Sequence, residues 1–277
     1  MIRRATIALS LFVSACYKAD TPSPVTENSD KPQRIISLDL CADQYALKFA
    51  DREHILALSP EAELEISSMR AEADGIPKVR PLAENILVLR PDLVIRSYGG
   101  GPNIEQVLED AGIPVVTLGW APDVDAVMQV IETTADALGA KDKGRAVTDQ
   151  MRQRLGDLPR DDAPRTVLYV TVSGFTTGPG TLVDDMFMKA GLHNLNQQPG
   201  WRSLPLEALT MNSPDLIALG YHESLGTHTD TWSATRNPIA QNLLKEKPVV
   251  KLDGATLSCP DWTIIDAIEA LAKAGAK

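Results

Sequence analysis

One segment occurs twice in this chain, and that duplication constrains the fold more than anything else in it. The first copy is Glu84-Asn85-Ile86-Leu87-Val88-Leu89-Arg90-Pro91-Asp92-Leu93-Val94-Ile95. The second is Glu207-Ala208-Leu209-Thr210-Met211-Asn212-Ser213-Pro214-Asp215-Leu216-Ile217-Ala218. Glutamate, six residues and then Pro-Asp-Leu recur at one spacing. In each copy the apolar residues (86, 87 and 89; 208, 209 and 211) suit one face of a short helix. Proline ends that helix, and Pro-Asp makes a turn. Leu-Val-Ile and Leu-Ile-Ala-Leu then read as buried strands. A two-turn helix feeding a strand, used twice, predicts two similar lobes, each with a carboxylate at the start of its repeat.

At 277 residues the chain has room for two ordinary domains. A formal charge of -10 argues against nucleic acid as a partner, which requires a basic face. Residues 1–16 read as a targeting signal. Arg3-Arg4 precede the short apolar stretch Ala5 to Ala15, which is too short to span a bilayer. Val13-Ser14-Ala15-Cys16 resembles a bacterial lipobox, with Cys16 as the lipidated residue and the membrane reached through that N-terminal lipid. The plainer alternative is a signal peptide cut near Ala15 with Cys16 incidental. Both export the chain. Residues 17–32, rich in Pro, Ser, Thr and charge, read as a flexible tether.

From Arg34 on, strands and helices alternate. Strands are expected at Ile35–Leu38, Ile55–Leu58, Leu93–Arg96 and Gly112–Leu118, with helices at Asp43–Ala50, Ile104–Asp110 and Asp123–Leu138. After Gly139 a second helical stretch runs from about Asp142 to Leu155, with Val147, Met151 and Leu155 on one side. Asp157 to Pro164 is a polar break. The pattern then restarts with a strand at Thr166–Val170, a helix at Leu182–Ala190, a strand at Val249–Leu252 and a helix at Trp262–Lys273. Such alternation predicts an α/β fold of two lobes with mostly parallel sheets. Residues 33–140 form the first lobe, 141–160 a single long connecting helix, and 161–277 the second lobe.

That layout resembles the periplasmic substrate-binding proteins of ABC importers for iron–siderophores and cobalamin. The resemblance covers residues 33–275. It rests on Arg34-Ile35-Ile36-Ser37-Leu38 as the opening strand and on the phrase Leu89-Arg90-Pro91-Asp92-Leu93-Val94-Ile95. It rests also on Gly178-Pro179-Gly180-Thr181-Leu182-Val183-Asp184-Asp185, with Ala190-Gly191-Leu192-His193-Asn194-Leu195 closing the helix that follows. The family implies two lobes joined by one long helix, with ligand in the cleft between them. It also implies a partner: an ABC permease of two like transmembrane subunits with its ATPase. In the family one Glu at the tip of each lobe sits in an Arg-lined socket of the permease, and Glu84 and Glu207 fall on those positions. The alternative for each Glu is a favourable charge in the first turn of its helix.

The ligand implied is a ferric siderophore or other iron chelate, or a corrinoid; haem is a further candidate. Tyr98, Gly99, Gly100 and Gly101 follow a strand and are expected at the cleft, where glycines let a ligand approach the backbone; a plain strand-to-helix turn, which also suits Gly, is the alternative. In the family's cobalamin binder an aromatic at the place of Trp201 packs on the macrocycle; Trp201 lies between loop-like stretches, which favours the cleft over the alternative of a core Trp. Trp262, Arg80, Arg96 and Arg202 are further expected cleft contacts, the arginines suiting an anionic chelate or simply being solvated. Cys41 and Cys259 form a candidate disulfide in an exported chain; two buried thiols or metal-binding thiolates are the alternatives. His222 and His228 share a Gly/Thr-rich loop; iron ligation is one reading, surface histidines the one favoured, and no metal site is assigned and no cofactor expected. Catalysis is not expected either. The chain has no His-Glu-x-x-His, no Gly-x-Ser-x-Gly and no P-loop. The rival class is a metal-cluster or tetrapyrrole enzyme lobe of similar architecture, which the signal peptide and the lack of clustered cysteines oppose.

Overall fold

The structure, a computed structural model, describes residues 31–159, 163–221 and 237–276. The chain from Lys31 onward forms one compact unit. Cys16 and the stretch before it, His222 and His228 lie outside the described residues.

The first lobe runs β1 (Ile35–Ser37), α1 (Leu40–Phe49), β2 (Ile55–Ala57), α2 (Ala83–Leu89), β3 (Leu93–Arg96), α3 (Ile104–Asp110) and β4 (Val115–Thr117). Then come α4 (Val124–Ala137) and α5 (Lys141–Gly156). The second lobe runs β5 (Thr166–Thr171), β6 (Phe175–Thr177), α6 (Leu182–Lys189), β7 (His193–Asn194), β8 (Trp201–Ser203), α7 (Leu206–Met211) and β9 (Leu216–Tyr221). It closes with α8 (Pro238–Glu246), β10 (Val249–Asp253), α9 (Gly254–Leu257) and α10 (Ile264–Gly275).

Two four-stranded sheets result, in the orders β2-β1-β3-β4 and β10-β9-β5-β7, and every neighbouring pair in them is parallel. Read from its other end, the second sheet is β7-β5-β9-β10. Strand by strand it then matches the first: β1 with β5, β2 with β7, β3 with β9, β4 with β10. The repeated segments are α2–β3 and α7–β9, the same place in each lobe. The repeated aspartate has a structural reason. Asp92 accepts hydrogen bonds from the backbone N–H of Gln33 and Arg34, at 2.8 Å each, where β1 begins. Asp215 accepts from the backbone N–H and hydroxyl of Thr166, both at 2.8 Å, where β5 begins. These bonds hold the Asp215 carboxyl below its ordinary value. Each Pro-Asp turn thus fixes the start of the neighbouring strand.

Side chains alternate between two cores, as a sheet covered on both faces requires. In the first lobe Ile36 and Val94 point outward to Ile86 of α2 and to Ile104 and Leu108 of α3. In the second, Leu168, Val170 and Ile217 point outward to Leu209 of α7 and to Ala240 and Leu243 of α8. The inward residues Ile35, Leu93, Ile95, Val167, Tyr169 and Leu216 belong to one continuous cluster. It also takes in Tyr45, Phe49, Val127, Ile131, Met186, Phe187, Ile268 and Leu271 from α1, α4, α6 and α10. Each large side chain removed from water there stabilises by about 1.5–3 kcal/mol. The lobes therefore share a core. Helix α5, about 24 Å long at 1.5 Å per residue, is mostly solvated. Arg154 ties it to α10 through Glu269 (2.6 and 2.7 Å) and Asp266 (2.6 Å).

The carboxyl ends of the two sheets meet at one seam. Cys41 of α1 and Cys259, which follows α9, form a disulfide with a Cα separation of 5.4 Å. Tyr45 donates its hydroxyl to the Pro260 carbonyl (2.8 Å), Gln44 donates to Cys259 Sγ (3.3 Å), and Val124 at the start of α4 donates to Asp185 of α6 (2.8 Å).

Several expected boundaries move, for local reasons. The helix expected at Asp43 starts at Leu40, because Asp39 caps it. The strand expected from Gly112 starts at Val115, because the Ile113 N–H turns back to the Leu108 carbonyl of α3. The helix expected at Trp262 starts at Ile264, because Asp261 accepts from the Thr263 N–H (2.8 Å) and holds that stretch as a turn. Trp201–Ser203, expected as loop, is a strand paired antiparallel with Phe175–Thr177.

Candidate functional site

Asp39 organises the first lobe's edge. It is fully buried between β1 and α1. Its Oδ1 accepts from the Ala42 N–H (3.0 Å), capping α1. Its Oδ2 accepts from three consecutive backbone N–H groups, Ser97 (2.6 Å), Tyr98 (3.0 Å) and Gly99 (2.9 Å). Hydrogen bonds to a carboxylate are the stronger kind, so one side chain fixes the loop that leaves β3. Gly99 lies so close that a Cβ there would run into the Leu38 carbonyl, and Gly100 has φ +86°. Glycine at both positions is a steric requirement of this loop.

Tyr98 stands on that loop, 56% exposed. Its hydroxyl donates to Glu61 Oε2 (2.6 Å), which also accepts from the Leu40 N–H (2.9 Å). Burial and the Glu61 carboxylate push the hydroxyl well above its ordinary value. Beneath lies Asp43, buried and bonded by the Ser37 hydroxyl, the Ser59 N–H (2.8 Å) and the Ser59 hydroxyl (2.5 Å). Its carboxyl is pushed up to about 7, chiefly by burial. At the carboxyl end of β4, Trp120 is 86% exposed. It was not singled out in the sequence, although in a chain with 5% aromatics a Trp just beyond a strand end is itself a signal.

On the second lobe Trp201 is 57% exposed and meets Tyr169 of β5 edge-on, with ring centroids 5.7 Å apart. Thr177 pairs with Trp201 and Phe175 with Ser203, so Phe175 and Trp201 share one face of the two-stranded sheet. Phe175, just past β5, is 44% exposed and also escaped the sequence reading. Burial pushes the Tyr169 hydroxyl up to about 12.

The remaining expected residues are placed differently. Trp262 lies in the contact between lobes, with Tyr45 at 5.6 Å, Phe49 at 5.5 Å and Lys48 Nζ 5.0 Å from its ring. Arg96 does not face the cleft. Strand alternation puts it with Val94 on the outer face, where it pairs with Glu105 of α3 at 3.4 Å. Arg80 lines a groove beside α2 with Leu56 and Val79, and Arg202 lines one beside α7 with Leu195 and Pro205. Glu84 and Glu207 are exposed in the first turns of α2 and α7. Among the described residues no group of three His, Cys, Asp or Glu is arranged to hold a metal, and no helix is long and apolar enough to cross a membrane.

Comparison with known proteins agrees with this architecture. The model of the periplasmic binding protein family matches residues 51–253. An uncharacterized ABC transporter substrate-binding lipoprotein of Bacillus subtilis (strain 168), YvrC, is 25% identical over 261 residues, covering 88% of this chain and 80% of that protein. The periplasmic haem-binding protein HutB of Vibrio cholerae superposes with a TM-score of 0.70 at 19% identity, over 89% of this chain and 99% of that one. The periplasmic vitamin B12-binding protein BtuF of Vibrio cholerae gives 0.60 at 19% identity, over 89% and 98%. With two parallel-sheet lobes, a shared core and the duplicated helix–strand unit, the chain belongs to the periplasmic binding protein family, as the substrate-binding component of an ABC transporter.

Proposed function

We propose that this chain captures a bulky, ring-bearing ligand (a corrinoid, a ferric siderophore or haem) between aromatic surfaces of its two lobes and hands it to the permease of an ABC importer. One observation carries this reading. Exposed aromatic side chains stand on both lobes near the carboxyl ends of the strands, Tyr98 and Trp120 on one, Phe175 and Trp201 on the other. Flat rings stack on macrocycles and aromatic chelators, burying a large apolar area on binding. The related structures bind haem in one case and vitamin B12 in another, which suits a flat ligand. Trp262 serves the contact between lobes.

Glu84 and Glu207 are the docking groups, one to each of two like permease subunits. A guanidinium can give a carboxylate two parallel hydrogen bonds. A lipid on Cys16 holds the mature chain to a membrane of the cell envelope, as the name of the Bacillus relative implies for that protein. The chain carries ligand without altering it.

The test is titration of purified mature protein with haemin, cyanocobalamin, a ferric catecholate and a ferric hydroxamate, followed by tryptophan fluorescence. At least one should quench and saturate. Trp201→Ala should weaken that ligand by about 1–3 kcal/mol. Binding of none of the four, or release of a chemically changed ligand, would overturn the reading.

A further inference from the structure

The two docking helices have more in common than their glutamates. Helix α2 packs beside a groove formed with the chain that follows edge strand β2, lined by Leu56, Val79, Arg80 and Leu89. Helix α7 packs beside a groove formed with the chain that follows edge strand β7, lined by Leu195, Arg202, Pro205 and Asn212. Strands β2 and β7 hold the same position in their sheets, so the grooves are topological equivalents. The helical register agrees as well. One residue after each glutamate, Asn85 and Ala208 line the grooves, and so do Leu89 and Asn212 five residues after it. Four residues after each glutamate, on the same helix face, stands a nearly bare apolar side chain: Val88 is 81% exposed and Met211 is 91% exposed.

A lone exposed apolar residue needs no explanation. Here two of the most exposed large apolar side chains in the described chain occupy matched positions of an internal repeat. Val88 lines the first groove, whose wall also carries Lys78 and Arg80, and Met211 stands one residue before Asn212, which lines the second beside Arg202. Neither the fold nor the ligand accounts for them. Both helices already bury their inner faces, through Ile86 and Leu209.

We propose that the partner which grips Glu84 and Glu207 also covers Val88 and Met211 and inserts a side chain into each groove. The occupant is two copies of one permease segment, related by two-fold symmetry, each offering a basic group to the glutamate and an apolar one beside it. This inference rests on the docking role assigned to the glutamates and extends it from two points of charge to two matched patches. Symmetry and charge choose the occupant. A partner of two like subunits meets two like surfaces. A second copy of this chain, at net charge -10, brings acidic surface against acidic surface.

The experiment places the photo-crosslinker p-benzoylphenylalanine at position 88 or 211 of the full chain in the producing cells. It then measures association of purified chain with the detergent-solubilised transporter so identified. The expected result is an adduct of one and the same permease polypeptide from both positions. Val88→Gln and Met211→Gln should each weaken association about fivefold, and together by more than about tenfold. Melting temperature and affinity for whichever of haemin, cyanocobalamin or siderophore binds should stay unchanged. If Glu84→Lys and Glu207→Lys abolish association while both Gln variants keep wild-type affinity, the patches are wrong and the transport reading stands. Adducts with a second copy of this chain also refute the patches. If the wild-type chain associates with no transporter at all, the transport reading falls with them.

Discussion

Severing Cys41 from Cys259 is the most informative stability perturbation in this molecule. The bridge joins residues 218 apart in sequence and one lobe to the other. Chain-entropy reasoning for a loop of that size gives a ceiling of about 5 kcal/mol, since the cost of closing the loop is removed from the unfolded state. Other contacts at the seam temper the loss. Tyr45, Phe49 and Trp262 form a ring cluster, and the Tyr45–Pro260 hydrogen bond spans the same gap. Residual structure in the unfolded chain lowers it further. We therefore expect the double variant Cys41→Ala, Cys259→Ala to lose about 3–5 kcal/mol, a fall in melting temperature of about 6–20 °C for a chain of this length. Alanine is the right replacement, because both sulfurs are buried and serine would bury new hydroxyls. Guanidinium unfolding, read as a shift in midpoint, should show the loss, and reduced wild-type protein should match the variant. A loss below about 1 kcal/mol would refute the reasoning and give the seam to its non-covalent contacts.

Asp39→Ala strips the acceptor from four backbone N–H groups, so it should cost about 3–5 kcal/mol and speed hydrogen exchange at residues 97–99; an unchanged exchange rate there would count against the clamp. Asp43 has a folded-state value of about 7 against 3.8 ordinarily, so its stabilising share is full below about pH 4 and lost as pH rises through 7. Asp43→Asn should flatten stability across that window by about 2–4 kcal/mol, which denaturant titrations at pH 4, 5.5 and 7.5 would detect. Trp120→Ala and Phe175→Ala should each weaken ligand binding severalfold, about 0.5–1.5 kcal/mol, while leaving the melting temperature within a degree or two; equal affinities would return both rings to the solvated surface.

The scaffold was legible because its signals are local. Leu93-Val94-Ile95 and Leu216-Ile217-Ala218 are apolar on both faces, as only strands covered twice can be, and the Pro-Asp turn before each marks where they start. The site was harder. Both faces of β3 read as apolar, so nothing local showed that Arg96 leaves on the outer side. Trp201–Ser203 and Phe175–Thr177 are strands of three residues each, too short for alternation to register. The role of Asp39 depends on a loop some 58 residues away, and the bridge depends on two cysteines 218 apart. Such contacts belong to the fold, and no window of sequence contains them.

The two lobes are alike where the partner would be alike and different where the ligand would meet them. Strand order, the aspartates 92 and 215, helices α2 and α7, their glutamates and the grooves beside them all correspond. The carboxyl edges do not. The first lobe presents a loop clamped by Asp39 with Tyr98 on it; the second inserts β6 and β8, a sheet with no counterpart across the seam among the described residues. A duplicated fold keeps its symmetry only where no local demand opposes it. On the proposed docking role, a permease of two like subunits would make the same demand of both lobes and so keep helices α2 and α7 matched. On the proposed binding mode, a single ligand held between the lobes would make a different demand of each, so the edges that meet it would diverge. On this reasoning, exchanging the α2 and α7 surface residues between lobes should be tolerated for transport, whereas exchanging Tyr98 for Phe175 and the reverse should not. Uptake assays on the two swapped chains would decide it, and equal tolerance of both swaps would break the link between symmetry and partner.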